Sequence, residues 1–163
     1  MLLHGSIVAT LFAEGYSVNE IYSIFNNYAN KIKYFEYKNI VKLIGGIIFK
    51  GEISIMGLSS GSKIEKYIRD FSNKKNFCNI TDIKFPLFIS SINLTNGDTY
   101  IFTSQKLIKD DKVKYSNKID IAKAVRASCS YPGIFEPCNI NGVEFIDGGI
   151  RENIPWRVLK YYG

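Results

Sequence analysis

Two stretches of the chain place apolar residues at helical spacing behind a helix-start signal. Ser17 and Glu20 form a capping box, in which a hydroxyl and a carboxylate satisfy free backbone amides at the start of a helix. The apolar residues behind this box fall on one face: Ile21, Ile24, Phe25, Tyr28 and Ile32. Ser62 and Glu65 repeat the box, and the face that follows carries Ile64, Ile68 and Phe71. We interpret both faces as core, because apolar stripes usually serve packing.

Two Asn-Gly pairs predict β-hairpins. Asn96-Gly97 separates the β-rich stretch 85–94 from 98–102, and both central residues of a type I′ turn need positive φ. Asn141-Gly142 leads in the same way into a strand that ends at Asp147. The lysine-rich stretch 105–118 predicts a surface loop, and 120–128 predicts a helix that ends before Pro132-Gly133. Helices that alternate with strands indicate the α/β class, with a single domain over residues 1–163.

Two further segments have alternative interpretations. The most apolar stretch, 40–49, is too short to cross a bilayer, which takes about 20 helical residues. We favour a buried helix interrupted at Gly45-Gly46 over a lipid-facing wall of an acyl pocket. The Gly/Ser loop 57–62 lacks the Gly-Lys-Ser/Thr order of a P-loop, so we interpret it as structural rather than as a phosphate site.

Composition limits the function classes. The 163 residues, 46% of them hydrophobic, suffice for one domain with a core and are too few for two. The formal charge of +6 comes mostly from scattered lysines, which favours a solvated surface, with peripheral contact to anionic membrane lipid as a second interpretation. No basic-aromatic array accompanies the charge, so we expect no nucleic-acid binding.

The cysteines predict neither a metal site nor a disulfide framework. Cys78, Cys129 and Cys138 are few and unevenly spaced, and the chain has one histidine to help them. The first residues lack a basic segment, and the apolar run 7–12 is too short for a signal peptide or a spanning helix. We therefore expect reduced thiols, no metal and a cytoplasmic protein.

Asp147-Gly148-Gly149 is the strongest candidate for chemistry. Two apolar residues run into Asp147, so its carboxylate lies where a strand ends, and the glycines after it allow a sharp turn with positive φ at either position. Asn153 and Pro155 then indicate the start of a helix. A carboxylate on a strand-to-helix connection is typical of sites in α/β folds, whereas Asp-Gly-Gly taken alone is also a common turn.

The motifs around Asp147 resemble those of a known family. Residues 126–137 read Arg-Ala-Ser-Cys-Ser-Tyr-Pro-Gly-Ile-Phe-Glu-Pro, and they precede Asn141-Gly142 and then Phe-Ile-Asp-Gly-Gly-Ile at 145–150. In this order they resemble the second half of a patatin-like phospholipase domain. In that family the aspartate of the D-G-[GA] motif is the base of a Ser–Asp dyad, and the matching residue is Asp147.

The resemblance also implies a fold and an activity. It implies a patatin-like three-layer α/β/α sandwich, truncated at the N-terminus and at the C-terminus. It implies a lipid acyl hydrolase that cleaves carboxylic esters of phospholipid or other acyl lipids and uses no cofactor and no metal.

The first residues resemble the end of the family's nucleophile elbow, G-x-S-x-G. Gly5 matches the last glycine, residues 6–12 match the helix behind it, and Leu3 stands at the place of the nucleophile. A leucine has no oxygen with which to attack an ester. The strand and the glycine-rich oxyanion loop that the family places upstream have no counterpart, so the chain is interpreted as a fragment of a longer enzyme or as a degenerate relative.

Other side chains are weaker candidates for the nucleophile. Ser6 falls one residue beyond the elbow, and Cys129 has the character of a core cysteine, so we favour neither. His4 would lie inside the elbow rather than across the cleft, which disfavours a Ser-His-Asp triad.

Three functions remain open on the sequence. The chain belongs to a lipid acyl hydrolase, or it is a non-catalytic remnant that binds lipid or a protein partner, or it is an α/β binding module in which Asp147 only makes a turn. The first predicts that Asp147 lies within hydrogen-bond reach of the backbone of residues 3–5. Because the family's preceding strand is central, its absence would leave an unpaired sheet edge, so we also expect the isolated chain to oligomerise or aggregate.

Overall fold

A computed structural model describes residues 5–28, 59–107 and 109–151. These residues form helices α1 (Gly5–Ala13), α2 (Val18–Tyr28) and α3 (Ser62–Lys74), a 3-10 turn (Ile80–Asp82), strands β1 (Phe88–Asn93), β2 (Thr99–Thr103) and β3 (Val113–Ser116), helix α4 (Ile121–Ser128), strands β4 (Cys138–Ile140) and β5 (Val143–Asp147), and a second 3-10 turn (Gly148–Ile150). The mixture confirms the α/β class. The apolar stretch 40–49 and the helix start predicted at Asn153 lie outside the described residues, and the three-layer arrangement stays a prediction.

The described strands form one sheet in the order β3-β2-β1-β5-β4. β1 pairs antiparallel with both β2 and β5, β4 pairs antiparallel with β5, and β2 and β3 run parallel. The second half of β1 pairs with the end of β5, where Asp147 lies opposite Ser91. The central strand of the sheet therefore supports the segment that carries the candidate base.

Helix α4 joins the sheet to the other helices. All of its residues except Lys123 are buried, and it contacts β1, β4 and β5 as well as α1 and α3. The Asp120 side chain accepts a hydrogen bond from the Lys123 amide at 3.0 Å, which is an N-cap worth about 1 kcal/mol. The helix ends at Ser128, before Pro132-Gly133, as predicted. In the described part of the chain, no helix is both long enough and apolar enough to span a membrane.

The predicted capping boxes have opposite outcomes. The first is confirmed: Glu20 Oε2 accepts from the Ser17 amide at 2.7 Å, and Ser17 Oγ accepts from the Glu20 amide at 3.3 Å. The second is wrong, because α3 begins behind Gly61, whose φ of 62° is left-handed and which makes no side-chain cap. Glu65 instead pairs with Arg69, one turn further along the helix.

The apolar faces predicted for these two helices lie in the core as far as they are described. Ile64, Ile68 and Phe71 of α3 and Ile21 of α2 are buried. Ile24 and Phe25 pack against the core, while the Tyr28 side chain and Ile32 lie outside the described residues.

Both predicted hairpins form, but with different turns. Asn141 and Gly142 have φ of 53° and 86°, as a two-residue turn between β4 and β5 requires. Between β1 and β2 the type I′ prediction is wrong, because of its two central residues Gly97 has positive φ and Asn96 does not. Here the Gly97 amide donates to the Asn93 carbonyl at 2.8 Å, which closes a longer loop.

The surface loop predicted for 105–118 is wrong in part, because β3 lies within it. Val113 is buried and packs against Ile101, with Phe88 and Tyr115 beside them. Apolar and polar residues alternate through β3, since Lys114 is exposed between Val113 and Tyr115. The lysine content of the segment concealed this short alternation.

Candidate active site

Asp147 is the last residue of β5 and is 3% exposed. Its backbone amide donates to the carbonyl of Ser130 at 3.0 Å, so the turn after α4 holds the end of the strand. The predicted position of a carboxylate at the end of a strand is confirmed. The sheet on one side and the α4 turn on the other leave this residue little freedom to move.

The two carboxylate oxygens of Asp147 differ in their surroundings. Oδ1 accepts a hydrogen bond from the Gly149 amide at 2.7 Å. Oδ2 is buried and has no hydrogen-bond partner among the described residues. Burial raises the pKa of Asp147 above its ordinary value, and the Gly149 hydrogen bond offsets part of that rise. A buried acceptor without a partner costs about 1–3 kcal/mol, so Oδ2 is favoured to accept a hydrogen bond or a proton.

The two glycines after Asp147 act differently from the prediction. Neither has positive φ; with Ile150 they form a 3-10 turn. Position 148 needs glycine because the turn lies directly against β1: a Cβ there would lie 2.5 Å from both the carbonyl carbon and Oγ of Ser90. Any larger residue at 148 would push the turn off β1 and move Asp147 with it.

The start of α1 lies close to the turn that holds Asp147. Ser6 Oγ lies 3.5 Å from Cys129 Sγ, and Cys129 is followed by Ser130, whose carbonyl binds the Asp147 amide. Gly5 is exposed as the first residue of α1, while Ile7, Thr10 and Leu11 are buried in the same helix. The helix predicted behind the elbow is thus confirmed. Leu3 and His4 lie outside the described residues, so their distance from Asp147 stays a prediction.

The structure disfavours Cys129 as a nucleophile. Its side chain is fully buried, and burial raises the pKa of the thiol to about 12, with only a partial offset from Ser6. The thiolate is the reactive form, so almost none would be present near neutral pH.

We expect the three thiols to differ in reactivity. Cys78 is exposed, whereas Cys129 and Cys138 are buried. A thiol reagent such as DTNB should titrate Cys78 rapidly in the native protein and reach the other two only after unfolding in guanidinium. Fast reaction in a Cys78→Ser variant, with the fold intact by circular dichroism, would contradict the burial described here.

Sequence reasoning missed three residues of this site. Arg126 and Ser130 lie in the recognised motif, but nothing in the spacing assigns them a contact, and Ser90 lies in an unremarkable strand. A weak signal was present for Arg126, because it is the one charged residue between the apolar neighbours 124–127 of a helix that becomes buried. As for metals, no group of three His, Cys, Asp or Glu side chains comes together within the described ranges.

Comparison with known proteins agrees with these motifs. The family profile described as Patatin-like phospholipase matches residues 4–160. The chain is 34% identical to the uncharacterized protein R571 of Acanthamoeba polyphaga mimivirus over 93% of the chain and 46% of the relative. It is 29% identical to the uncharacterized protein YqhO of Bacillus subtilis over 96% of the chain and 54% of the relative.

A third relative carries a functional name. The chain is 26% identical to the probable lipid hydrolase 463L of Invertebrate iridescent virus 6, over 97% of the chain and 51% of the relative. The chain spans about half the length of these curated relatives. Since the family profile covers nearly all of its residues, the chain belongs to the patatin-like phospholipase family.

Proposed function

We propose that this chain carries the general base of a serine-type lipid acyl hydrolase, and that Asp147 is that base. One observation carries the proposal. The buried carboxylate of Asp147 lies at the end of β5, and its Oδ2 has no hydrogen-bond partner among the described residues. A structural aspartate in a turn would normally use both oxygens, because a buried acceptor left unpaired is costly. The proposed substrate is a carboxylic ester of a phospholipid or another acyl lipid, in keeping with the family and with the relative named a probable lipid hydrolase.

The chemistry needs a serine hydroxyl beside Oδ2. As the serine oxygen attacks the ester carbonyl, its proton passes to Asp147, and a tetrahedral oxyanion forms. Collapse of that intermediate breaks the ester bond, the leaving alcohol takes the proton from Asp147, and the acyl group remains on the serine. Water then attacks the acyl-serine ester and gives its proton to Asp147, the serine oxygen leaves and takes that proton back, and the fatty acid is released. An aspartate is a weak base in water, and burial makes it a stronger one.

The residue at the position of the nucleophile, Leu3, separates an active hydrolase from a non-catalytic binding protein. Leu3 cannot supply the oxygen, so the chain as it stands is proposed to be inactive by itself. The alternative is a catalytically inactive patatin-like fragment or remnant that binds lipid or a protein partner. Contact with anionic membranes, self-association and a cytoplasmic location stay predictions.

Labelling with a fluorophosphonate probe tests the register of the elbow. The chain with Leu3 should not label, whereas a Leu3→Ser variant, made in the longest reading frame that encodes the chain, should label at residue 3. The reason is that the probe reports an activated hydroxyl next to a base. Mass spectrometry of the adduct gives the position. A Ser6→Ala variant in the same background serves as the matched control and should label equally. An adduct on Ser6 in the Leu3 protein would contradict the assigned register.

A further inference from the structure

Arg126 is a buried cation held by three separate segments. The residue is 3% exposed on α4. Its Nη1 donates to Ser130 Oγ at 2.5 Å, its Nη2 to the Glu136 carbonyl at 2.7 Å, and its Nε to the Ser60 carbonyl at 3.1 Å. A second bond from Nη2 to the Ser60 carbonyl, at 2.5 Å, makes that contact a fork. All of these acceptors are neutral.

The described residues provide no counterion for this guanidinium. Arg69 pairs with two carboxylates on the surface, but among the described residues none lies within ion-pair distance of Arg126. Burial lowers the pKa of Arg126, yet an arginine stays protonated in proteins. The guanidinium lies 5.8 Å from the centroid of the Phe135 ring, and the charges of Glu65 and Glu136 attract it from beyond ion-pair distance. Burying a charge without a direct ion pair is expensive, and packing alone would favour an apolar side chain here. What a guanidinium adds is a rigid set of donors that binds several carbonyls in fixed directions.

One branch of these contacts leads to Asp147. Ser130 is fully buried; its hydroxyl accepts from Arg126 Nη1 and donates to the Arg126 carbonyl at 2.9 Å. The carbonyl of the same serine accepts from the Asp147 amide at 3.0 Å. The guanidinium is therefore two hydrogen bonds away from the backbone of the proposed base. Loss of the first bond removes one of the contacts that hold the serine in place; its bonds to the Arg126 and Ala127 carbonyls remain.

The other branch organises the Ser59–Gly61 loop. Ser59 donates to the Ile134 carbonyl and accepts from the Glu136 amide, both at 2.9 Å. Arg126 bridges the Ser60 and Glu136 carbonyls beside this pair. A Cβ on Gly61 would lie 2.4 Å from Arg126 Nε, so the loop can approach the guanidinium only with glycine at that position. This close approach and the left-handed φ of 62° both require glycine at position 61, directly before α3.

We propose that Arg126 is a positioning residue for Asp147. Its guanidinium holds Ser130 and the segments 59–61 and 134–136 together, and in this way it fixes the backbone of the proposed base. The inference rests on the proposed role of Asp147 for its catalytic meaning. The coupling between Arg126 and the Asp147 backbone is a separate physical statement and can be measured without any turnover.

Native-state amide exchange by NMR tests this coupling. In an Arg126→Lys variant, which keeps the charge but cannot reach three acceptors, protection of the Asp147 and Glu136 amides should fall by about ten- to a hundredfold more than that of the β1 and β2 amides. The strand amides report opening of the whole domain, so a purely structural role would lower all of them together. Arg69→Lys is the matched control, since it changes a half-exposed arginine with carboxylate partners. It should leave the Asp147 amide unchanged.

A Ser130→Ala variant keeps the test decisive if Arg126→Lys does not fold. It removes the middle hydroxyl alone, so protection should fall locally at Asp147 and stay unchanged at Glu136. Asp147 protection that falls no further than that of β1 and β2, in either variant, overturns the positioning role. Failure of the proposed function would appear elsewhere, as ester hydrolysis by the Leu3→Ser protein that survives removal of the Asp147 carboxylate.

Discussion

Replacing Asp147 by asparagine should lower ester hydrolysis by about 10²–10⁴-fold in a protein that has a serine at position 3. The asparagine side chain keeps the shape of aspartate and can still accept the hydrogen bond from the Gly149 backbone amide. Its NH₂ group at the position of Oδ2 cannot accept a proton. The loss should fall on kcat more than on KM, because the proton is transferred in the transition state and substrate binding is untouched. Hydrolysis of a p-nitrophenyl ester by Leu3→Ser and by Leu3→Ser/Asp147→Asn, both made in the longest reading frame that encodes the chain, measures this difference.

The pH dependence of that activity offers an independent check. The carboxylate must be ionised to act as a base, so activity should fall as the pH drops through the pKa of Asp147. Since burial raises this pKa, the acid limb of kcat/KM should lie above the ordinary range of an aspartate, about 3.9. Asp70→Asn, on the exposed face of α3, is the matched control and should change neither kcat nor the pH of the acid limb. Full activity in the Asp147→Asn protein would remove Asp147 from the mechanism.

Replacing Glu14 by glutamine should stabilise the protein by up to about 3 kcal/mol above pH 7. Glu14 follows α1 and is 4% exposed; its Oε1 accepts from Ser72 Oγ at 2.5 Å, while Oε2 has no partner among the described residues. Burial raises its pKa to about 7, with a partial offset from Ser72 and from the charge of Lys75. Glutamine keeps an acceptor for Ser72 and carries no charge to desolvate.

The sign of this effect follows from proton binding. The folded protein holds the Glu14 proton up to about pH 7, whereas the unfolded chain releases it near pH 4.5. The stability that the neutral acid provides is therefore full below about pH 4.5 and is lost as the pH rises towards 7. Glu14→Gln should remove this loss and give no gain below pH 4.5. Urea denaturation of both proteins at a series of pH values measures the difference.

Glu20 gives a control of opposite sign on the neighbouring helix. Its carboxylate is exposed, and its hydrogen bonds with Ser17 lower its pKa. Glu20→Gln should therefore lower the free energy of unfolding at neutral pH. The difference from the wild type should shrink in acid as the wild-type carboxylate protonates. If Glu14→Gln gives no gain above pH 7 while Glu20→Gln behaves as described, Glu14 is not held neutral by burial.

Local rules explain what could be predicted from the sequence. The Ser17–Glu20 box and the two hairpins depend on residues within a few positions of each other, and so does the end of a strand at Asp147. The three motifs that point to the patatin-like family are also continuous in sequence, and the match over residues 4–160 confirms them. Spacing was sufficient for the box, the hairpins and the strand end, because their partners lie close along the chain, whereas the family was indicated by the resemblance of its motifs.

The remaining features depend on partners that are distant in sequence. Position 61, directly before α3, accepts only glycine because the Arg126 guanidinium, 65 residues later, occupies the space of a side chain. Gly148 is required by the proximity of Ser90 across the sheet rather than by its own φ. The burial of Asp147 Oδ2, which has no partner in the described part of the chain, and the anchoring of the Asp147 amide by Ser130 likewise arise only when α4 packs against β5. The sequence by itself determined that a carboxylate ends a strand in a patatin-like motif, and the resemblance made it the candidate base. Only the tertiary structure decided its burial and its contacts, because the residues that surround it are distant in sequence.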